Sequence, residues 1–108
     1  MAITINIYYT GAEGHARKFA AEMIARGIVD EIRREEGNLR YDYFIPMDDE
    51  TSILLIDSWE DQAALDRHHR TPMMAQIMEL REKYGLRMKV ERYCSEELPH
   101  TDRRFIKE

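Results

Sequence analysis

The segment "SILLIDSW", residues 52–59, breaks the alternation that a half-buried strand requires: Ile53, Leu54, Leu55 and Ile56 are apolar in succession. A strand apolar on both sides has to be covered on both sides. That demand is severe for a chain of 108 residues, since a domain of this size buries only about two-thirds of its unfolded surface.

The flanking segments say what covers one side. "ITINIYYT" alternates with period two, Ile3, Ile5, Ile7 and Tyr9 against Thr4, Asn6, Tyr8 and Thr10, and reads as a strand. Gly11 and Gly14 mark a turn. "HARKFAAEMIARGIVDEIRREE" then reads as one long helix, with Phe19, Met23, Ile24, Ile28 and Ile32 along one side and Gly37-Asn38 ending it. "LRYDYFI" is a second strand placing Leu39, Tyr41, Tyr43 and Ile45 on one face, and "PMDDE" is a polar turn.

After Trp59, Asp61 is positioned to cap a helix through "EDQAALDRHHR". Pro72 lacks an N–H and disfavours helical geometry in the residue before it, so the helix breaks near Thr71, which can cap a new start with Pro72 in first position. "PMMAQIMELREKYG" is that second segment, stopped by Gly85. "LRMKVERYC" is a fourth strand, with Leu86, Met88 and Val90 opposed to Arg87, Lys89 and Glu91. Residues 95–108 are polar and read as a tail to a domain spanning residues 1–94.

The order β-α-β-β-α-β predicts an α+β, ferredoxin-like fold: an antiparallel four-stranded sheet with helices on one face. The open face, made greasy by the third strand, is most economically covered by the same face of a second copy through a two-fold axis. A homodimer is therefore expected.

Composition narrows the partners. Sixteen basic against 21 acidic residues leave a formal charge of −5 with no long basic run, which disfavours nucleic acid. No apolar stretch approaches the roughly 20 residues needed to cross a bilayer, so no membrane partner is expected. A lone cysteine, Cys94, cannot form an internal disulfide, and the start of the chain lacks the layout of a signal peptide; both fit the cytoplasm.

"EEGNLRYDYF" followed by "SWEDQAALDRHHRTPMM" resembles the antibiotic biosynthesis monooxygenase family of small dimeric α+β-barrel proteins. The matching residues are Glu35 or Glu36, Gly37, Leu39, Tyr41, Trp59, Glu60, Ala64, Leu65, His68, Thr71 and Pro72, within a likeness running from about Ile3 to Cys94. The resemblance implies a dimer with a pocket in each subunit between sheet and helices. It also implies, for several members, oxidation of quinols or polycyclic phenols by molecular oxygen without flavin, haem or metal. Other branches degrade haem, and one isomerises a phosphorylated signalling sugar. "EEGNLR" looks like that isomerase branch and "TPMM" like quinol monooxygenases; fold alone does not choose between them.

The adjacent histidines His68 and His69 point about 100° apart on a helix and cannot jointly chelate one ion, and no other ligand set accompanies them, so no metal is expected. His68 falls on the inward face and matches the family's pocket histidine. It is either a buried, hydrogen-bonded structural residue or the base that takes a phenolic or enolic proton. His69 reads as packing or solvent-facing.

Met73 stands where many relatives carry a second histidine, and Met78 where haem-degrading relatives carry an iron ligand. Trp59 is either a wall of the pocket or core. Tyr41 and Tyr43 supply hydroxyls to the pocket if their face meets the helices, and are interface tyrosines otherwise. Asn6 invites comparison with a first-strand asparagine of haem-degrading relatives, yet alignment through Gly14 puts that position on Ile7, facing the helices. The charged run Glu31–Glu36 reads as a solvated helix face.

The leading expectation is a cofactor-independent monooxygenase acting on a small aromatic quinol or phenol. His68 is its base, and Trp59, Tyr41, Tyr43, Met73 and Ile7 are the residues against substrate. The alternatives are an isomerase of a small phosphorylated or carbonyl compound, with Arg40 or Arg26 as phosphate-binding candidates, and a dimeric binding or stress-response module whose pocket is filled.

Overall fold

A computed structural model describes all 108 residues. The sheet is antiparallel, in the order β2-β3-β1-β4, from β1 (Ile3–Thr10), β2 (Asn38–Phe44), β3 (Ser52–Trp59) and β4 (Arg87–Cys94). The helices are α1 (His15–Ala25), α2 (Ile28–Arg33), α3 (Gln62–His69) and α4 (Met73–Lys83), and a short 3-10 helix spans His100–Phe105. This is the ferredoxin-like arrangement expected from the element order.

β3 is central and explains the architecture. Its helix-facing residues Ile53, Leu55, Asp57 and Trp59 are buried, while Leu54 and Ile56 on the opposite face stay half-buried within the single chain. The register aligns Ile53 with Tyr9, Leu55 with Ile7, Asp57 with Ile5 and Trp59 with Ile3, so one apolar face accumulates from two strands. Phe19, Met23, Ile32, Ile77 and Leu80 close over it from the helices.

Four local expectations need correction. The run 15–36 is two helices, because Gly27 takes a left-handed φ of 76° that stops the helical repeat. The face is thereby reset: Ile24 is 57% exposed, and Val29 takes a core place. In β2 a bulge between Asn38 and Arg40 turns Leu39 outward, and Ile45 lies beyond the strand, so only Tyr41 and Tyr43 share the inner face.

Thr71 does not cap α4; its hydroxyl donates back to the His68 carbonyl at 2.8 Å, and Pro72 itself occupies the cap. In β4, Leu86 precedes the strand, and Met88 and Val90 are exposed because no helix covers this edge. Asp61 does cap α3, accepting from the Ala64 amide at 2.9 Å.

Candidate functional site

The uncovered edge leaves a cavity of about 380 Å³ between the sheet and the α3–α4 pair. Its floor is two rows running across the strands. Tyr41, Asp57, Ile5 and Arg92 form one, and Leu55, Ile7 and Val90 the next. The roof comes from Leu65, His68 and His69 on α3 and from Met74, Ile77 and Arg81 on α4. The break at Pro72 is what lets two short helices present separate faces to one space. An apolar cavity of this size carrying a few polar groups is the usual form of a small-molecule site.

His68 is held from two sides. Its Nδ1 donates to Glu35 Oε2 at 2.8 Å, and its ring stacks on Trp59 with centroids 4.7 Å apart and planes 28° apart. Both partners are shielded, the side chains being 7% exposed for His68 and 17% for Glu35. With Nδ1 committed, Nε2 is the ring nitrogen left to exchange a proton. Glu35 lies in the charged run expected to be a solvated face, and that expectation is corrected: Gly37, at φ 84°, folds the chain back so that Glu35 reaches α3. The approach is close, for the Gly37 carbonyl accepts from the Glu60 amide at 2.8 Å and a Cβ on Gly37 would lie 2.5 Å from that of Ala64.

Trp59 is fully buried beneath His68 and its Nε1 donates to Asp57 Oδ2 at 2.8 Å. Asp57 Oδ1 is buried with no hydrogen-bond partner, a situation that costs about 1–3 kcal/mol unless something satisfies it. Burial pushes the Asp57 carboxyl up, and the bond from Trp59 together with the charges of His68 and Arg81 pulls the other way. Arg81 donates from Nε and Nη2 to the Tyr9 hydroxyl at 3.2 and 3.0 Å and lies over that ring. Burial raises the hydroxyl pKa values of Tyr9, Tyr41 and Tyr43, so these phenols stay protonated donors.

Of the residues singled out from sequence, Ile7, Tyr41 and His68 line the cavity. Trp59 touches it only through His68, and Tyr43 packs edge-on behind Tyr41 at 5.9 Å. Met73 is buried in the core while its neighbour Met74 faces the space. His69, expected to be packing or solvent-facing, is exposed and also borders the cavity, its ring 5.7 Å from that of His68. No three His, Cys, Asp or Glu side chains gather as a metal-ligand set.

Asn6 points to the open face and Met78 is exposed. Arg40 and Arg26 are outside the cavity, Arg40 paired with Asp42 on the open face and Arg26 with Glu22 on α1. Sequence reasoning passed over Asp57, Arg81 and Arg92. A usable signal existed for the first: an acid two residues before Trp59, at the inward phase of a strand otherwise apolar there, is out of place unless it has work to do.

The family model of antibiotic biosynthesis monooxygenases matches residues 2–80. A protein of Bacillus subtilis (strain 168) named "Putative monooxygenase YcnE" is 36% identical over 47 residues, which are 44% of this chain and 50% of that one. The chain thus matches about half the length of that relative. PA3566 from Pseudomonas aeruginosa superimposes with a TM-score of 0.72 at 30% identity, covering 89% of this chain and 95% of that one. SnoaB of Streptomyces nogalater, a cofactor-independent oxygenase, shares the fold at a TM-score of 0.70 and 17% identity, over 90% and 95% of the two chains. With a family model spanning most of the domain and the fold shared throughout, the chain belongs to the antibiotic biosynthesis monooxygenase family.

Proposed function

We propose that the chain is a cofactor-independent monooxygenase that oxidises a small electron-rich quinol or phenol with molecular oxygen. The observation that carries this reading is an imidazole locked between Glu35 and Trp59 in the roof of an apolar cavity. A substrate hydroxyl placed against His68 Nε2 gives up its proton, and Glu35 stabilises the resulting imidazolium through Nδ1–H. Apolar walls around the anion replace its hydration shell and raise its reducing power. The anion transfers an electron to oxygen, the two radicals join in a carbon–oxygen bond, and the peroxide takes a proton from the imidazolium. Breaking the O–O bond with loss of water leaves a carbonyl. One hydroquinone and one O2 thus give one hydroxyquinone and one water. Ile7 and Tyr41 hold the ring, while Trp59, Tyr43 and Met73 support the wall from behind.

We further propose a cytoplasmic homodimer joined through the open sheet face, where Leu54 and Ile56 are half-buried and Phe44 is 39% exposed. No helix is long and apolar enough to cross a membrane, and Cys94 is a free, exposed thiol.

Oxygen uptake by chelator-treated protein with 1,4-dihydroxynaphthalene and related quinols tests the reaction. Protein-dependent uptake of one O2 per quinol is expected, and none above the protein-free rate with any member of the set would refute it. Isomerisation of a phosphorylated compound is the second reading, favoured by the Arg81 and Arg92 guanidinium groups in the cavity. Turnover without oxygen would select it.

A further inference from the structure

Resting on the oxygenase reading and narrowing its substrate, we infer that Asp57 is a specificity-determining residue: it accepts a hydrogen bond from a second hydroxyl of the bound aromatic, so that the site selects dihydroxylated ring systems over their monomethyl ethers. His68 can account for only one polar group of a ligand. Asp57 stands on the floor of the same cavity, on β3, in the cross-strand row between Tyr41 and Ile5. It is 5% exposed, one of its oxygens is taken by Trp59, and the other has no partner within the chain.

The neighbouring groups do not satisfy that oxygen. Arg81 spends its Nε and Nη2 on the Tyr9 hydroxyl, Tyr41 and Arg92 share the row of Asp57 without bonding that oxygen, and Ile5 and Leu55 carry no donor side chain. Among neutral partners, a ligand O–H supplies the missing donor. An ether oxygen at that point sets two acceptors against each other in a place shielded from water, which both forfeits the bond and adds repulsion. The indole bond has a second consequence. It fixes the carboxylate plane, so the free oxygen is pre-oriented, and the base, the stacked ring and the second contact become one connected unit, Glu35–His68–Trp59–Asp57.

The test is anaerobic calorimetric titration of the full chain with 1,4- and 1,5-dihydroxynaphthalene and with the monomethyl ether of each. In the unmodified protein at least one diol is expected to bind about ten- to a hundredfold more tightly than its ether. Asp57→Ala brings that ratio near one. Asp57→Asn reverses it, because the Trp59 N–H takes the amide oxygen and turns an N–H2 donor toward the ligand.

Equal affinities in both pairs, preference for the ethers, or failure of all four probes to bind overturns the inference without recourse to any variant. Oxygen plays no part in the titration, so the two proposals fail separately. Discrimination without oxygen uptake would defeat the oxygenase reading alone, and uptake without discrimination would defeat the role of Asp57 alone.

Discussion

Glu35→Gln changes one thing in the candidate site, and the structure sets the size of the effect. The amide oxygen still accepts from His68 Nδ1 at the position where Glu35 Oε2 lies 2.8 Å away, so the imidazole keeps its orientation and the stack on Trp59 is undisturbed. What is lost is the negative charge beside the imidazolium formed when His68 takes the substrate proton. A hydrogen bond to a charged group contributes about 1.5–3 kcal/mol and a neutral one about 0.5–1.5. The variant therefore forfeits about 1–1.5 kcal/mol of stabilisation that exists only after proton transfer.

That loss corresponds to a five- to twelvefold fall in kcat/KM, carried by kcat because ground-state contacts are retained. Glu35→Ala leaves Nδ1–H unpaired in a shielded position and should cost a further factor of about ten. The assay is initial oxygen uptake in a double-mutant cycle with His68→Ala. In the His68→Ala background Glu35→Gln should change nothing. An equal fall in both backgrounds, or no fall in the native one, would refute the assignment of Glu35 as the partner of the base.

Three further outcomes follow from the geometry. Gly37→Ala should lower unfolding free energy by about 2–4 kcal/mol in a denaturant titration, from a left-handed φ and a Cβ 2.5 Å from Ala64; a loss below about 1 kcal/mol would show that the approach to α3 is loose. Glu22 is held down at about 2 by hydrogen bonds from Lys83 and Tyr84 and by the charge of Arg26. Its contribution is present above its unfolded value near 4.3 and is lost as pH falls toward 2, so the stability difference from Glu22→Gln should close over that interval and stay constant above it.

Asp57 has the opposite sign, since its folded pKa lies above the unfolded one and stability declines as pH rises through that gap. Asp57→Asn, which keeps an acceptor for Trp59, should therefore be more stable than the native protein at neutral pH and equal to it below about pH 4. Equal stabilities at neutral pH would contradict the desolvation argument.

Much of the fold was legible because its signals are local. Period-two alternation marked β1, the Asp61 carboxylate marked the start of α3, and Pro72 marked the break that separates α3 from α4. What escaped was set by tertiary context. Gly27 sits inside an unbroken helical repeat, and nothing in the repeat says that the chain turns there rather than continuing. The bulge that expels Leu39 depends on pairing with β3, which no reading of β2 by itself contains.

The site divides in the same way. His68 could be placed inward from helical spacing, whereas strand phase put Tyr41 and Tyr43 on one face without saying which face meets the helices. Glu35 looked like one more surface acid until the turn at Gly37 brought it to the histidine. Arg81 and Arg92 are ordinary surface residues by type, and they face the cavity because α4 leaves the outer edge of β4 uncovered.

Tracing the oxygen atom tests the central claim most directly. Chelator-treated protein turning over 1,4-dihydroxynaphthalene under 18O2, quenched rapidly and analysed by mass spectrometry, should yield hydroxyquinone carrying one labelled oxygen, with the second in water. Unlabelled product formed at the full rate, or turnover undiminished when oxygen is excluded, would contradict it.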